Sequence, residues 1–329
     1  MGTLTEQLDN LYTTTWQNMK SIVGDNIFDA TPFWFWLRAH GGLETVPGGR
    51  FLTEPLRFAS SDNVKFVQKG STVSLADKEF LTVAIYQWRY LADSIVRFGI
   101  DDQQNRGKNQ IISLMRAKLD NSKDSLVDRL ETTLFDKATD DASGLAFNGL
   151  KDIIPTDPTV TAATLGGIDP SLAANTFWRN QFKDQAAVSF ASTGVLNLTN
   201  LLNNCMNNLR QDRPDIVVSG QTPFEFYEDS LIDQKRFTNT MMADAGFTTL
   251  EFHGLPWIWS PSEDDDTLIY LLNTKFMKFR FDPQMFFDMT EWKPIPNQIN
   301  DRAAQVILAG NLTTSRRRVH GVMFGVSTA

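Results

Sequence analysis

The chain has 329 residues, of which 42% are hydrophobic and 21% are charged, and its formal net charge is −8. A chain of this length can bury a substantial core as one large domain or two modest ones. The acidic balance argues against sequence-independent nucleic-acid binding as the main activity. No apolar run reaches the roughly 18–20 residues that a membrane-spanning helix needs, so no membrane contact is expected. The single cysteine, Cys205, excludes an intrachain disulfide and fits a reducing compartment.

Residues 1–46 are predicted to form an N-terminal arm. The start of the sequence lacks the basic and apolar segments of a secretory signal, and the spacing of Leu4, Leu8 and Leu11 indicates a short amphipathic helix. Consecutive aromatic residues follow, namely Phe33, Trp34, Phe35 and Trp36. Large apolar side chains so near a terminus need a covering surface, which is either the chain's own core or another subunit.

Residues 47–78 have the pattern of a β-hairpin. Strands are predicted at 50–58 and 64–69 on either side of a polar turn, and Pro55 favours an edge position for the first strand. Both strands mix apolar residues with charged ones, which are Arg50, Glu54, Arg57, Lys65 and Lys69. An isolated two-stranded ribbon is only marginally stable in water, so we expect this one to lie on a neighbouring molecule.

After β-rich residues 79–100, a long amphipathic helix is predicted at 105–135. Its apolar residues recur at spacings of three, four and seven, at Ile111, Ile112, Met115, Leu119, Leu126, Val127, Leu130 and Leu134. The other face is charged and includes Arg116, Asp124 and Arg129. One side should therefore pack on a sheet while the other faces water or a neighbouring chain. An ordinary core helix is the alternative interpretation.

The remaining residues predict an α+β arrangement, with an irregular stretch at 136–195. Helices are predicted at 195–210 and after Thr222-Pro223, where a capping residue precedes proline. Strands are predicted at 215–220, 248–252, 254–259, 268–272, 276–281, 304–309 and 318–326, with a turn region at 311–315.

No catalytic motif occurs in the sequence. The motifs HExxH, CxxC, GxSxG and GxxxxGK[ST] are absent, and the histidines are far apart, at His40, His253 and His320. Cys205 lies on an apolar helix face, as core cysteines do. The acidic run 263–266 lacks the spaced ligands of a calcium loop and is expected to be a solvated turn. Residues 316–318, three arginines, form at most a weak phosphate-binding patch. We therefore expect no enzyme activity, no cofactor and no metal site.

The order of these parts and several short stretches resemble one protein family. The stretches are TVAIYQWR at 82–89, DDQQNRG at 101–107, GGIDP at 166–170, FWRN at 177–180, PDIVV at 214–218, AGF at 245–247, GLP at 254–256 and YLLN at 270–273. Together they are similar to the major capsid proteins of tailed bacteriophages, whose fold is of the Hong Kong 97 type. The resemblance extends over about residues 45–326.

The resemblance implies a domain organisation within an α+β fold. Residues 1–46 would be the N-terminal arm and 47–78 the extended hairpin known as the E-loop. Residues 79–155 and 306–329 would form the peripheral domain, with 105–135 as its spine helix. Residues 156–305 would form the axial domain. The implied subunit-interface candidates are Phe33, Trp34, Phe35, Trp36, Arg50, Glu54, Arg57, Lys65, Lys69, Arg116, Asp124 and Arg129.

The resemblance also implies a function and a set of partners. The chain would be a structural protein that assembles into the hexamers and pentamers of an icosahedral head enclosing double-stranded DNA, without sequence-specific binding. Since only about 46 residues precede the hairpin, the scaffolding protein is expected to be separate. A portal and a decoration protein are further expected partners, with assembly in the host cytoplasm and residence in the virion. Lys65 and Lys69 are candidate lysines for a covalent cross-link. The rival hypothesis is a soluble α+β enzyme or ligand-binding protein that forms an arm-exchanged oligomer.

Overall fold

A computed structural model describes residues 31–59, 63–72, 79–99, 108–206, 212–231, 250–263, 267–298 and 301–327. The predicted helix at Leu4–Leu11 and the turn residues 60–62 lie outside these ranges. The α-helices in the described ranges are α1 (Pro32–Ala39), α2 (Lys108–Phe135), α3 (Leu150–Ile153), α4 (Val195–Met206) and α5 (Gln221–Ser230). None of them is both long and apolar enough to span a membrane.

The described strands form two sheets and a separate ribbon. They are β1 (Leu43–Thr45), β2 (Leu52–Arg57), β3 (Leu81–Tyr86), β4 (Arg89–Arg97), β5 (Gln181–Asp184), β6 (Ile216–Ser219), β7 (Leu250–Phe252), β8 (Leu255–Trp259), β9 (Ile269–Leu272), β10 (Met277–Met289), β11 (Lys293–Pro294), β12 (Arg302–Thr314) and β13 (Gly321–Phe324). The first sheet has the order β1-β10-β12-β11, with β4 also paired to β12. The second has the order β5-β13-β9-β6-β8-β7, and β2 pairs with β3 as the ribbon.

The long helix α2 confirms the predicted amphipathic helix over Lys108–Phe135. Leu119, Ser122, Leu126, Leu130 and Leu134 are buried, one three-residue step followed by four-residue steps, which keeps them on one face of the helix. The helix packs on β4, where Lys118 Nζ donates to the carbonyl oxygen of Val96 at 3.0 Å. Residues 105–107 and the side chains of 108–116 lie outside the described part, so Ile111, Ile112, Met115 and Arg116 are not located.

The aromatic segment, which lies within the predicted arm 1–46, packs in the core of its own chain. Pro32 begins α1, a position that proline favours because its ring presets the helical φ. Phe33, Trp34 and Trp36 are buried in the main core, and Phe35 packs against it. Strand β1 then pairs in parallel with β10. Of the two coverings considered for the aromatic residues, the structure shows the chain's own core.

The ribbon is longer than the predicted hairpin, and its returning strand is different. Strand β2 pairs with β3, from Leu52 opposite Tyr86 to Arg57 opposite Leu81. Residues 64–68 are not a strand, and Val64, Phe66 and Val67 are exposed. The pairing with β3 prevails because it puts Leu52, Leu56, Ala84 and Tyr86 on one face, where all four are buried.

The C-terminal strands are divided between the two sheets. Strands β10 and β12 belong to the first sheet with β4, whereas β13 belongs to the second sheet, between β5 and β9. The predicted turn at 311–315 is the end of β12 up to Thr314. Asn311 is compatible with a strand here because its side-chain amide donates to the carbonyl of Gln87 at 2.9 Å and accepts from the Asn148 N–H at 2.9 Å.

Smaller differences concern helix starts and one acidic residue. Helix α5 begins at Gln221, after Gly220, and not at the predicted Thr222-Pro223. A π-helical turn at Phe190–Gly194 precedes α4. Glu263 was expected in a solvated turn but is buried. Its carboxylate lies 3.2 Å from Lys151 Nζ, and this salt bridge offsets the desolvation cost of burying the charge.

Candidate assembly surfaces

The inner face of the ribbon is seated on the body of the same chain. Tyr86 donates its hydroxyl to the carbonyl oxygen of Thr314 at 2.8 Å, and the N–H of Ile85 donates to the carbonyl of Gly166 at 2.9 Å. Burial raises the pKa of Tyr86 well above its usual value. A Cβ added at Gly166 would lie 2.7 Å from the Cβ of Ala84, so only glycine allows this close approach. The base of the ribbon is therefore closely fitted.

A cluster of four charged residues lies beside this seat. Arg280 on β10 pairs with Glu54 on β2 at 3.0 Å and with Glu44 on β1 at 3.3 Å. Lys278 Nζ donates to Glu44 Oε2 as well, at 2.8 Å. Hydrogen bonding by Lys278 is the main cause that lowers the pKa of Glu44, and burial raises the pKa of Glu54 despite the opposing effect of Arg280. The predicted interface residue Glu54 is thus buried within its own chain.

The outer face of the ribbon is apolar and exposed. Leu81, Val83 and Ile85 point outward with 58%, 47% and 49% of their surfaces accessible. They lie opposite Arg57, Pro55 and Thr53 in the ribbon register, and these residues are exposed as well. A contiguous apolar stripe on a narrow ribbon is typical of an interaction surface. The described chain does not cover this stripe.

The loop that follows β2 carries apolar and basic side chains together. Val64, Phe66 and Val67 are exposed, with Phe66 fully accessible, and Lys65 and Lys69 are exposed beside them. Arg50, at the other end of β2, is also exposed and its guanidinium lies 5.2 Å from the ring centroid of Phe51. The ribbon and its loop therefore present a basic, partly apolar surface.

The solvent face of α2 carries charges of both signs and includes two acidic residues. Asp124 and Asp128 are one helical turn apart and exposed. Arg129 is also exposed but forms an ion pair with Asp141 of the same chain. Of the three helix residues predicted at an interface, Asp124 is accessible, Arg129 already has a partner within the chain, and Arg116 lies outside the described side chains.

The cysteine, histidine and arginine side chains that were considered as functional candidates make contacts within the chain. Cys205 is buried, and burial raises the pKa of its thiol. His320 is buried against Thr314 and the backbone of Asn273. The arginine run is divided, since Arg317 is buried and donates to backbone carbonyls while Arg316 pairs with Asp212. In the described ranges no three side chains of the metal-ligating types come together.

Two features of these surfaces were missed from the sequence. Leu81, Val83 and Ile85 were placed in a β-rich stretch, but no exposed face was predicted for it. Their alternation with Ala84 and Tyr86 is a two-residue period, which indicates one exposed and one buried face. Arg280 had no local signal, because its partners Glu44 and Glu54 are far away in sequence.

Comparison with known proteins shows similarity at the level of structure. No protein-family model matches the sequence, and no curated protein matches it significantly. The capsid of cyanophage A-1(L) is 14% identical over 86% of this chain and 90% of that chain, with a TM-score of 0.63. The holo-SrpI encapsulin complex of Synechococcus elongatus PCC 7942 is 12% identical over 89% and 88%, with a TM-score of 0.54. The capsid of the Myoviridae phage XM1 is 11% identical over 88% and 91%, with a TM-score of 0.53. The fold is thus that of phage capsid proteins, α+β and of the Hong Kong 97 type, which confirms the fold predicted from the sequence.

Proposed function

We propose that this chain is the major capsid protein of a tailed bacteriophage, which assembles into the hexamers and pentamers of an icosahedral head around double-stranded DNA. The observation that carries the proposal is the uncovered apolar stripe of the ribbon, Leu81, Val83 and Ile85, on a chain with a capsid-protein fold. In a repeating shell, a second copy of the same chain would cover this stripe. The role is structural and not enzymatic, consistent with the buried positions of Cys205 and His320.

The ribbon of one copy is proposed to lie on the long helix of the next. The basic residues Arg57, Lys65 and Lys69 are exposed on the ribbon side, and the acidic Asp124 and Asp128 are exposed on the helix. A single exposed ion pair contributes only about 0–1 kcal/mol. Burial of the apolar stripe supplies most of the affinity, while the charges select orientation and partner. Repetition over many equivalent contacts makes the shell stable.

The sheets suggest how the subunit is divided. We assign the first sheet and α2 to the peripheral domain, including β10 and β12, and the second sheet with β13 to the axial domain. The ribbon from β2 to β3 is the E-loop. Residues 1–46 remain the proposed N-terminal arm. The interface role proposed for Phe33, Trp34 and Trp36 is withdrawn because these side chains are buried in their own chain.

The proposed partners are those of a shell built from acidic subunits. The net charge of −8 favours a wall that does not hold packed DNA tightly and encloses it without reading its sequence. A separate scaffolding protein, a portal and a decoration protein complete the proposed set. Assembly would take place in the host cytoplasm and the product would reside in the virion. Because the structural matches include an encapsulin complex, the enclosed material distinguishes a phage head from another kind of shell.

The stripe can be tested by removing its apolar character. The variant Leu81→Ser/Val83→Thr/Ile85→Thr should keep the far-ultraviolet circular dichroism of the wild type, because these side chains are exposed, and should lose closed particles in electron micrographs. Leu145→Ser, at an exposed leucine outside the ribbon, is the matched control and should assemble normally. Particles of wild-type number and diameter from the triple variant would contradict the proposal.

The charge pairing has its own test. Lys65→Glu/Lys69→Glu should weaken assembly, and adding Asp124→Lys/Asp128→Lys should restore it, since the pairing is then reversed on both surfaces. Failure of the second change to restore particles, with both proteins folded, would show that the ribbon does not meet this helix face.

A further inference from the structure

Arg280 has the contacts of a residue that holds the ribbon at one angle. Its side chain is 12% exposed. Its Nη1 donates to the carbonyl oxygen of Thr53 at 2.8 Å, its Nη2 lies 3.0 Å from Glu54 Oε1, and its Nε donates to Glu44 Oε2 at 3.3 Å. One guanidinium therefore joins two successive residues of β2 to β10 and β1.

Glu54 extends this connection to a third strand of the body. Its carboxylate accepts the hydroxyl of Thr313 on β12 at 3.1 Å while it pairs with Arg280. Glu54 is buried, so these directed bonds form in a medium where they are stronger than at the surface. The ribbon is thus tied at its base to β1, β10 and β12.

The apolar contacts of the ribbon cannot supply this direction alone. Burial of Leu52 and Leu56 holds the ribbon against the body, but hydrophobic burial is non-directional. A planar guanidinium fork, by contrast, restricts both the position and the rotation of the groups that it bonds. The hydrogen bond from Tyr86 to Thr314 restrains the partner strand. The Arg280 fork on β10, which bonds β2, therefore has a role that packing does not duplicate.

We propose that Arg280 is a positioning residue that sets the direction of the ribbon, so that its apolar stripe reaches the neighbouring subunit. This inference rests on the proposed shell function for its consequence, although the ribbon angle is a property of the single chain. A lysine at this position keeps the charge but not the fork, and so separates direction from charge.

The experiment compares Arg280→Lys with Arg316→Lys. Arg316 is the matched control because the same substitution is made at an arginine that pairs with Asp212 and not with the ribbon. Spin labels at Gln68→Cys and Asn121→Cys report the distance from the ribbon loop to α2, with excess unlabelled protein present so that distances within one chain dominate. Electron micrographs of the same proteins without labels report particle number and diameter.

The expected result is a label-distance distribution about two-fold wider for Arg280→Lys than for the wild type, because the point charge of lysine fixes fewer geometric degrees of freedom. The number of particles with wild-type diameter should fall about ten-fold, since misdirected stripes cannot engage all of the repeated contacts at once. Arg316→Lys should match the wild type in both measurements.

Other outcomes separate the positioning role of Arg280 from the proposed shell function. Equal distance distributions for wild type and Arg280→Lys would overturn the positioning role, whatever the particles look like. A wider distribution with normal particles would overturn its importance for assembly. If the wild type forms no particles at all, the proposed shell function fails, while the label distances still decide whether Arg280 sets the ribbon angle.

Discussion

The buried imidazole of His320 should make the free energy of unfolding depend on pH. The N–H of Asn273 donates to its Nδ1 at 3.1 Å, so the neutral ring carries its proton on Nε2, which faces Thr314 Oγ1 at 3.4 Å. Burial, and secondarily the positive charge of Arg317, lower the pKa of His320 from 6.5 to about 3. Between about pH 3 and pH 6.5, His320 is therefore protonated in the unfolded chain and neutral in the folded chain.

The sign and size of the effect follow from this shift. The stability that His320 contributes is fully present above pH 6.5 and declines as pH falls towards 3. At pH 4.5, two units below the ordinary value, the loss is about 3 kcal/mol. Carboxyl groups also titrate in this range, so the difference between wild type and a variant is more informative than either curve.

The variant His320→Asn retains an acceptor for the Asn273 N–H and has no titrating group. Guanidinium denaturation of unassembled protein at pH 8 should show it less stable than the wild type, by roughly 1–3 kcal/mol for the smaller buried side chain. By pH 4.5 this difference in the free energy of unfolding should shrink by about 3 kcal/mol or reverse. Val319→Ala, at a buried neighbour without a titrating group, should keep a constant gap. A constant gap for His320→Asn as well would refute the reasoning.

Three further changes test the core and the ribbon seat. Arg317→Met should lower the free energy of unfolding by about 3 kcal/mol or more, because it removes charge-assisted hydrogen bonds to buried carbonyls; a loss below about 1 kcal/mol in a denaturation curve would contradict this. Gly166→Ala should cost more in melting temperature than Gly167→Ala, since both have positive φ but only Gly166 faces a close Cβ contact; equal shifts would argue against the fitted seat. Trp34→Ala should cost about 3–5 kcal/mol, whereas Phe51→Ala, at an exposed position, should leave unfolding of the unassembled chain nearly unchanged; similar costs would contradict the own-core position of Trp34.

The long helix and the α+β class were predictable because their signals are local. In α2 the positions Leu119, Leu126, Leu130 and Leu134 repeat with the period of the helix itself, so the buried face could be assigned before any partner was known. The same holds for β6, whose apolar run Ile216–Val218 is buried throughout.

The ribbon and the charged base could not be predicted because they depend on distant pairings. Residues 64–69 have strand-forming side chains close to β2, and only the shared burial of Leu52 and Ala84 on the body decides for β3. Glu54 has the appearance of a surface charge in sequence. Its partner Arg280 is more than two hundred residues away, and nothing local indicates that the two meet.

The accessible face of the ribbon was only partly predictable from the sequence. Alternation of exposed Val83 and Ile85 with buried Ala84 and Tyr86 was present in the sequence. Its direction became clear only once the body was seen to take the face with Tyr86. The aromatic segment shows the reverse, since Trp34 was assigned to two alternative surfaces and the chain's own Phe279 covers it, with ring centroids 5.1 Å apart.

The central claim is that this chain builds a closed shell, and negative-stain electron microscopy of the purified protein tests it most directly. The protein should be expressed alone and together with its neighbouring open reading frames, and each preparation should also be run on a sizing column. The account predicts shells, tubes, or isolated hexamers and pentamers, with nucleic acid inside the filled particles. A stable, monodisperse monomer or dimer under every condition would contradict it and would favour an enzyme or ligand-binding protein.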